Sequence, residues 1–96
     1  VDLPNILNAN TATLLTSIVL QKRTNEARLK YLFGATAYNE KYASLVKRLI
    51  GVGILTKRID GWLEINELIV HEVIKMLKRK KYLFDALPIS ESNENY

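Results

Sequence analysis

The stretch LVKRLIGVGILTKRIDGWLEI, residues 45–65, restricts the folds open to this chain more than any other, because its rhythm changes halfway. Tyr42, Leu45, Val46, Leu49 and Ile50 recur at i, i+3, i+4, i+7 and i+8, the spacing of one apolar helix face. Past Gly51 and Gly53 the pattern alternates, turns at Asp60-Gly61 and alternates again. That is a helix joined at once to a tight hairpin. An Asp-Gly pair suits a two-residue type I′ turn, since Gly61 accepts a positive φ and Asp60 tolerates one. Such a turn pairs Ile59 with Trp62, Arg58 with Leu63, Lys57 with Glu64 and Thr56 with Ile65. Thr56, Leu63 and Ile65, with Ile54 nearby, then face the core. Lys57, Ile59, Trp62 and Glu64 face out.

The rest of the chain reads as helices around this unit. VDLPNILN, with Pro4, predicts an N-terminal arm over residues 1–9. NTATLLTSIVLQKR predicts a helix with Leu14, Leu15, Ile18 and Val19 on one stripe, capped by Asn10 or Thr11. QKRT reads as a polar break in which Thr24 caps a second helix, NEARLKYLFG, that stops at Gly34. After a short ATAY connection, Asn39 is the expected cap of the third helix, EKYASLVKRLI. Asn66 is the expected cap of a last helix over about 66–84, and the polar residues 85–96 are expected to form a disordered tail. The predicted class is mainly α with a small β-hairpin, α+β, in one domain over residues 10–84.

Composition removes several functions. With no cysteine, the 96-residue chain has no disulfide, no thiolate metal site and no cysteine nucleophile. A lone histidine, His71, makes no histidine-rich metal centre. Ser17, Ser44 and His71 have no supporting carboxylate at the spacing of a nucleophilic triad. Gly51 and Gly53 follow a helix and so form no phosphate loop ahead of one. No enzyme activity, cofactor or metal is expected. No apolar run reaches the ~20 residues of a membrane span, and no signal peptide is visible at Val1, which predicts a cytoplasmic, nucleoid-associated or nuclear protein that is not secreted.

Charge indicates a partner. Fourteen Lys and Arg against ten Asp and Glu give +4. Residues 21–58 concentrate the basic charge in Lys22, Arg23, Arg28, Lys30, Lys41, Lys47, Arg48, Lys57 and Arg58, against Glu26 and Glu40. A basic middle favours an anionic partner. A DNA major groove is ~12 Å wide and admits one helix with short polar or basic outward side chains. The third helix offers Asn39, Lys41 and Ser44 near base edges, and Lys47 and Arg48 nearer phosphates. Lys57 and Arg58 on the hairpin, and Gln21, Lys22 and Arg23 before the second helix, are candidate backbone contacts. Each cation has a plainer role as a solvated surface charge, and Lys57 has one as the partner of Glu64. Trp62 is open to three roles: packing back on the third helix, stacking at a protein interface, or inserting at DNA.

From RLKYLFGATAYNEKYASLVKRLIGVGILTKRIDGWLEI, and above all LVKRLIGVGILTKR, the chain resembles the winged helix-turn-helix family of small prokaryotic or viral regulators. The resemblance covers roughly residues 11–84. It implies sequence-specific binding of double-stranded DNA, in transcription regulation or in plasmid or viral DNA maintenance. The alternative is a winged-helix module that binds protein within a larger assembly. The wide apolar stripe of the last helix also needs cover, because burying each large side chain is worth about 1.5–3 kcal/mol. A homodimer through Ile69, Val73, Met76, Leu77 and Tyr82 is the expected solution.

Overall fold

A computed structural model describes residues 8–80. Helix α1 (Ala9–Gln21) starts where the Asn8 side chain accepts the Thr11 N–H at 2.9 Å, so the cap lies before the expected Asn10 or Thr11 and residue 9 is already helical. Its inward face, Ala12, Leu14, Leu15, Ile18 and Val19, is fully buried. The helix stops at Lys22, held at φ +68 with its N–H donating to the Val19 carbonyl.

The expected polar break is instead strand β1 (Arg23–Thr24), and Thr24 is buried rather than capping. Asn25 takes the capping role, its side chain accepting the Arg28 N–H at 2.8 Å at the head of α2 (Glu26–Phe33). After Gly34, α3 (Ala35–Ala37) runs through a π-helical turn (Tyr38–Tyr42) into α4 (Ala43–Gly51). The ATAY connection is therefore helical, and Asn39 lies inside the π turn with no capping role. The Ala43 N–H donates to the Tyr38 carbonyl across this wide turn, and Tyr38 and Tyr42 are both buried. There Tyr42 stacks on Phe33 with ring centres 4.2 Å apart.

The end of α4 makes the corner seen in the sequence. Ile54 N–H donates to the Leu49 carbonyl and Gly53 N–H to that of Ile50, with Gly53 at φ +86. This is the helix stop that needs a left-handed residue, and it brings buried Ile54 against the last turn beside buried Leu49.

Strand β2 (Leu55–Lys57) then pairs antiparallel with β3 (Leu63–Ile65), and β1 adds to the far side of β3, for the order β1-β3-β2. The hairpin register differs by one residue from the expected one. Leu55 pairs with Ile65, Thr56 with Glu64 and Lys57 with Leu63. The loop has three residues, Ile59, Asp60 and Gly61. Arg58 N–H donates to the Trp62 carbonyl, Gly61 N–H returns to that of Arg58, and Gly61 alone takes a positive φ, +91. That is a type I turn followed by a left-handed glycine. Burial decides between the two. A one-residue slip would turn Leu55 outward and Thr56 inward. The observed register buries Leu55, Leu63 and Ile65 together and leaves Thr56 exposed.

Helix α5 (Val70–Arg79) begins later than expected. Asn66 does not cap it. Its side-chain carbonyl accepts the Leu68 N–H, and its amide donates to the Gly53 carbonyl at 2.9 Å, which ties the start of this segment to the α4 corner. Helix α1 packs against β1, β3, the π turn and α5. Val73 and Leu77 belong to that common core at 0 % exposure, and Met76 is 6 % exposed. Val73, Met76 and Leu77, expected at a dimer interface, are thus covered within one chain and need no second subunit. Ile69 is half-buried against the same core. Tyr82, the N-terminal arm before Asn8 and the tail lie outside the described residues. The architecture is mainly helical with a small antiparallel sheet, the α+β class expected.

Two glycine substitutions separate backbone strain from packing. A Cβ at Gly53 or Gly51 meets no atom within 4 Å. Gly53→Ala is expected to cost about 1–2 kcal/mol through the left-handed backbone alone. Gly51→Ala, inside α4, is expected to be neutral or to add up to about 1 kcal/mol. Thermal melts followed by circular dichroism check both. Equal midpoints for the two variants would contradict the corner geometry.

Candidate nucleic-acid interface

Two groups of basic side chains emerge from this fold. The first runs along the helix from the π turn into α4. Asn39, Lys41, Ser44, Lys47 and Arg48 are all exposed, while Tyr42, Val46 and Leu49 are buried beneath them. At ~100° per residue, Ser44, Lys47 and Arg48 fall within roughly one third of the α4 circumference. Glu40 is the one acidic residue between Asn39 and Gly51. Among the described residues the ion pairs are Lys30–Glu26 and Arg58–Glu64, so no carboxylate neutralises Lys41, Lys47 or Arg48 there.

The ridge is held from below. The Tyr38 hydroxyl donates to Glu26 Oε2 at 3.4 Å, joining the π turn to the first turn of α2. Glu26 also meets Lys30 Nζ at 3.6 Å, one helical turn on. Burial, reinforced by the adjacent Glu26 charge and hydrogen bond, raises the Tyr38 hydroxyl to about 12.

The second group lies on the sheet. Side chains alternate along each strand, so Arg58, Thr56, Glu64, Trp62 and Arg23 share the outward face while Lys57 leaves on the other with Leu63. The partner of Glu64 is therefore Arg58, with Nε to Oε2 at 2.7 Å, and not Lys57. Lys57 is exposed and outside those ion pairs. The hairpin thus divides the two cations that adjacency in sequence suggested would act together.

The nearest charged company of Trp62 comes from β1 and α2. Trp62 is half-buried beside β1 and α2, with Arg23 Cζ 4.7 Å and Arg28 Cζ 5.1 Å from its ring centre. Arg23 and Lys22 are exposed at the α1–β1 junction. Arg28 was no sequence candidate. Its place beside Arg23 depends on β1 joining the sheet, and a two-residue strand leaves no periodic signal.

One apolar concavity of about 820 Å³ lies between α1 and α2, lined among others by Leu20, Ala27, Tyr31, Leu32 and Phe33, with Arg28 also in its lining. Tyr31 is 92 % exposed there. No group of His, Asp and Glu suited to hold a metal ion occurs among the described residues, and none of their helices is long and apolar enough to cross a membrane. No protein-family model, curated protein or solved structure matches the chain, so chemistry and geometry carry the functional reading.

The raised Tyr38 hydroxyl sets an alkaline limit. A folded-state pKa above the ordinary 10 contributes stability that is complete below pH 10 and is lost as pH rises toward about 12. Melting midpoints taken across that window are expected to fall less steeply for Tyr38→Phe than for the unsubstituted protein. Parallel curves would show that Tyr38 has no part in the alkaline loss.

Proposed function

We propose that this protein is a winged-helix DNA-binding protein with no catalytic role. The arrangement α1-β1-α2, then the α3–α4 helix, β2 and β3, with the sheet order β1-β3-β2, supports the winged-helix reading. The observation that carries the function is the ridge of Lys41, Ser44, Lys47 and Arg48, exposed and free of carboxylate partners among the described residues. A helix with an apolar underside and short polar and basic outward residues fits a major groove. In this reading Asn39, Lys41 and Ser44 meet base edges, and Lys47 and Arg48 the flanking phosphates. Lys57, Arg58, Lys22 and Arg23 add backbone contacts from the hairpin and from the junction before α2.

A second reading, a protein-interaction module, is favoured by the apolar concavity between α1 and α2 with its exposed Tyr31. Its contact is that concavity in place of Trp62 and the α5 stripe, because Val73, Met76 and Leu77 are buried.

Gel shifts with duplex DNA separate the two. With about five phosphates neutralised, affinity is expected to drop by two orders of magnitude or more between roughly 50 and 200 mM salt. Lys47→Ala with Arg48→Ala is expected to weaken binding about tenfold or more, with a melting midpoint within about 2 °C of the parent. Absence of any shift at low salt would sink the DNA reading and leave the interaction module.

A further inference from the structure

Two guanidiniums converge on one indole. Arg23 comes from β1, Arg28 from the first turn of α2, and Trp62 from the residue before β3. Both cations lie about 5 Å from the ring, hence no more than about 10 Å from one another. Like charges at a separation comparable to the Debye length, about 8–10 Å at 0.1–0.15 M salt, repel. The neighbouring carboxylates are engaged with other groups. Glu64 stands opposite Arg23 in the ladder but bonds Arg58 at 2.7 Å. Glu26, two residues before Arg28, meets Lys30 and the Tyr38 hydroxyl. The ring therefore supplies what counter-charge the arginines have among the described residues, through its negative π face.

A guanidinium lying over a ring uses its face and keeps its N–H edge for a ligand. Arg23 and Arg28 are both exposed, and N–H edges left free in this way match the oxygens of a phosphate. With both arginines over the indole, Trp62 is poorly placed to stack on a nucleobase. We propose that Arg23 and Arg28 form a clamp for one backbone phosphate of DNA, with Trp62 as the positioning residue that holds both. The clamp rests on the DNA-binding reading and extends it beyond the helical ridge to two residues, Arg28 and Trp62, outside that reading.

The test uses the full chain and a fluorescein-labelled duplex, with anisotropy read over a salt series. Arg28→Ala, at an exposed site, is expected to lower affinity about five- to tenfold at low salt and to reduce the salt slope by about one. Trp62→Leu is expected to match it, while Trp62→Phe, which keeps a π face, retains most of the parent affinity and slope. Trp62 is the only tryptophan, so its emission is expected to change as duplex is added to the parent protein and to stay flat with Arg28→Ala. If the parent binds duplex while Arg28→Ala keeps its affinity and slope, the clamp is wrong and the ridge reading stands. If the parent binds no duplex at all, both fall.

Discussion

Strand β3 is the constraint on which the remaining structure depends. It is three residues long, yet it pairs with β1 on one side and β2 on the other, and it packs on α1. Leu63 and Ile65 point into the core from it, and Glu64 and the adjacent Trp62 point out. Because the side-chain period of a strand is two, burial of Leu63 and Ile65 fixes which residues of β1 and β2 face inward. Leu55 goes in with Ile65; Arg23 goes out with Glu64. A three-residue strand would be marginal by itself. Here its polar backbone is satisfied on both edges, while its apolar face rests on a helix whose inner side is wholly buried.

The same strand organises charge. On its outward side it lines up a carboxylate and an indole between two arginines, so one arginine is neutralised by an ion pair and the other lies over a ring. The cations of the helical ridge receive neither treatment among the described residues. A surface that leaves some positive groups unpaired while pairing others nearby is unevenly charged.

Much of this was legible from residue order. The 3.6-residue rhythm through Tyr42, Val46 and Leu49, the helix stop at Gly53 and the hairpin at Asp60-Gly61 each rest on short-range chemistry that a sequence displays. The errors have separate physical causes. In LNAN and RTN several residues able to cap stand side by side, and the choice of Asn8 and Asn25 depends on where the buried stripe starts. The hairpin register pits turn preference against burial, and burial of Leu55 outweighs the type I′ preference of Asp-Gly. Strand β1 is visible only once β3 is present to pair with it. The broad stripe of α5 looked unsatisfied because the sequence does not disclose that α1 packs against it. Of the candidate site, the ridge followed from periodicity, whereas the pairing of Arg58 with Glu64 and the company kept by Trp62 followed only from register.

The π turn bears on how the ridge is shaped. One residue more than an α-turn holds is equivalent to a phase shift of about 100° between the segments on either side. On an uninterrupted α-helix Asn39 and Ser44, five residues apart, would lie about 140° apart, and the extra residue brings them to within about 40° of one another. The π turn thus carries the exposed side of Asn39 over onto the side of Ser44 in α4, which two α-helical turns in the same place would have parted.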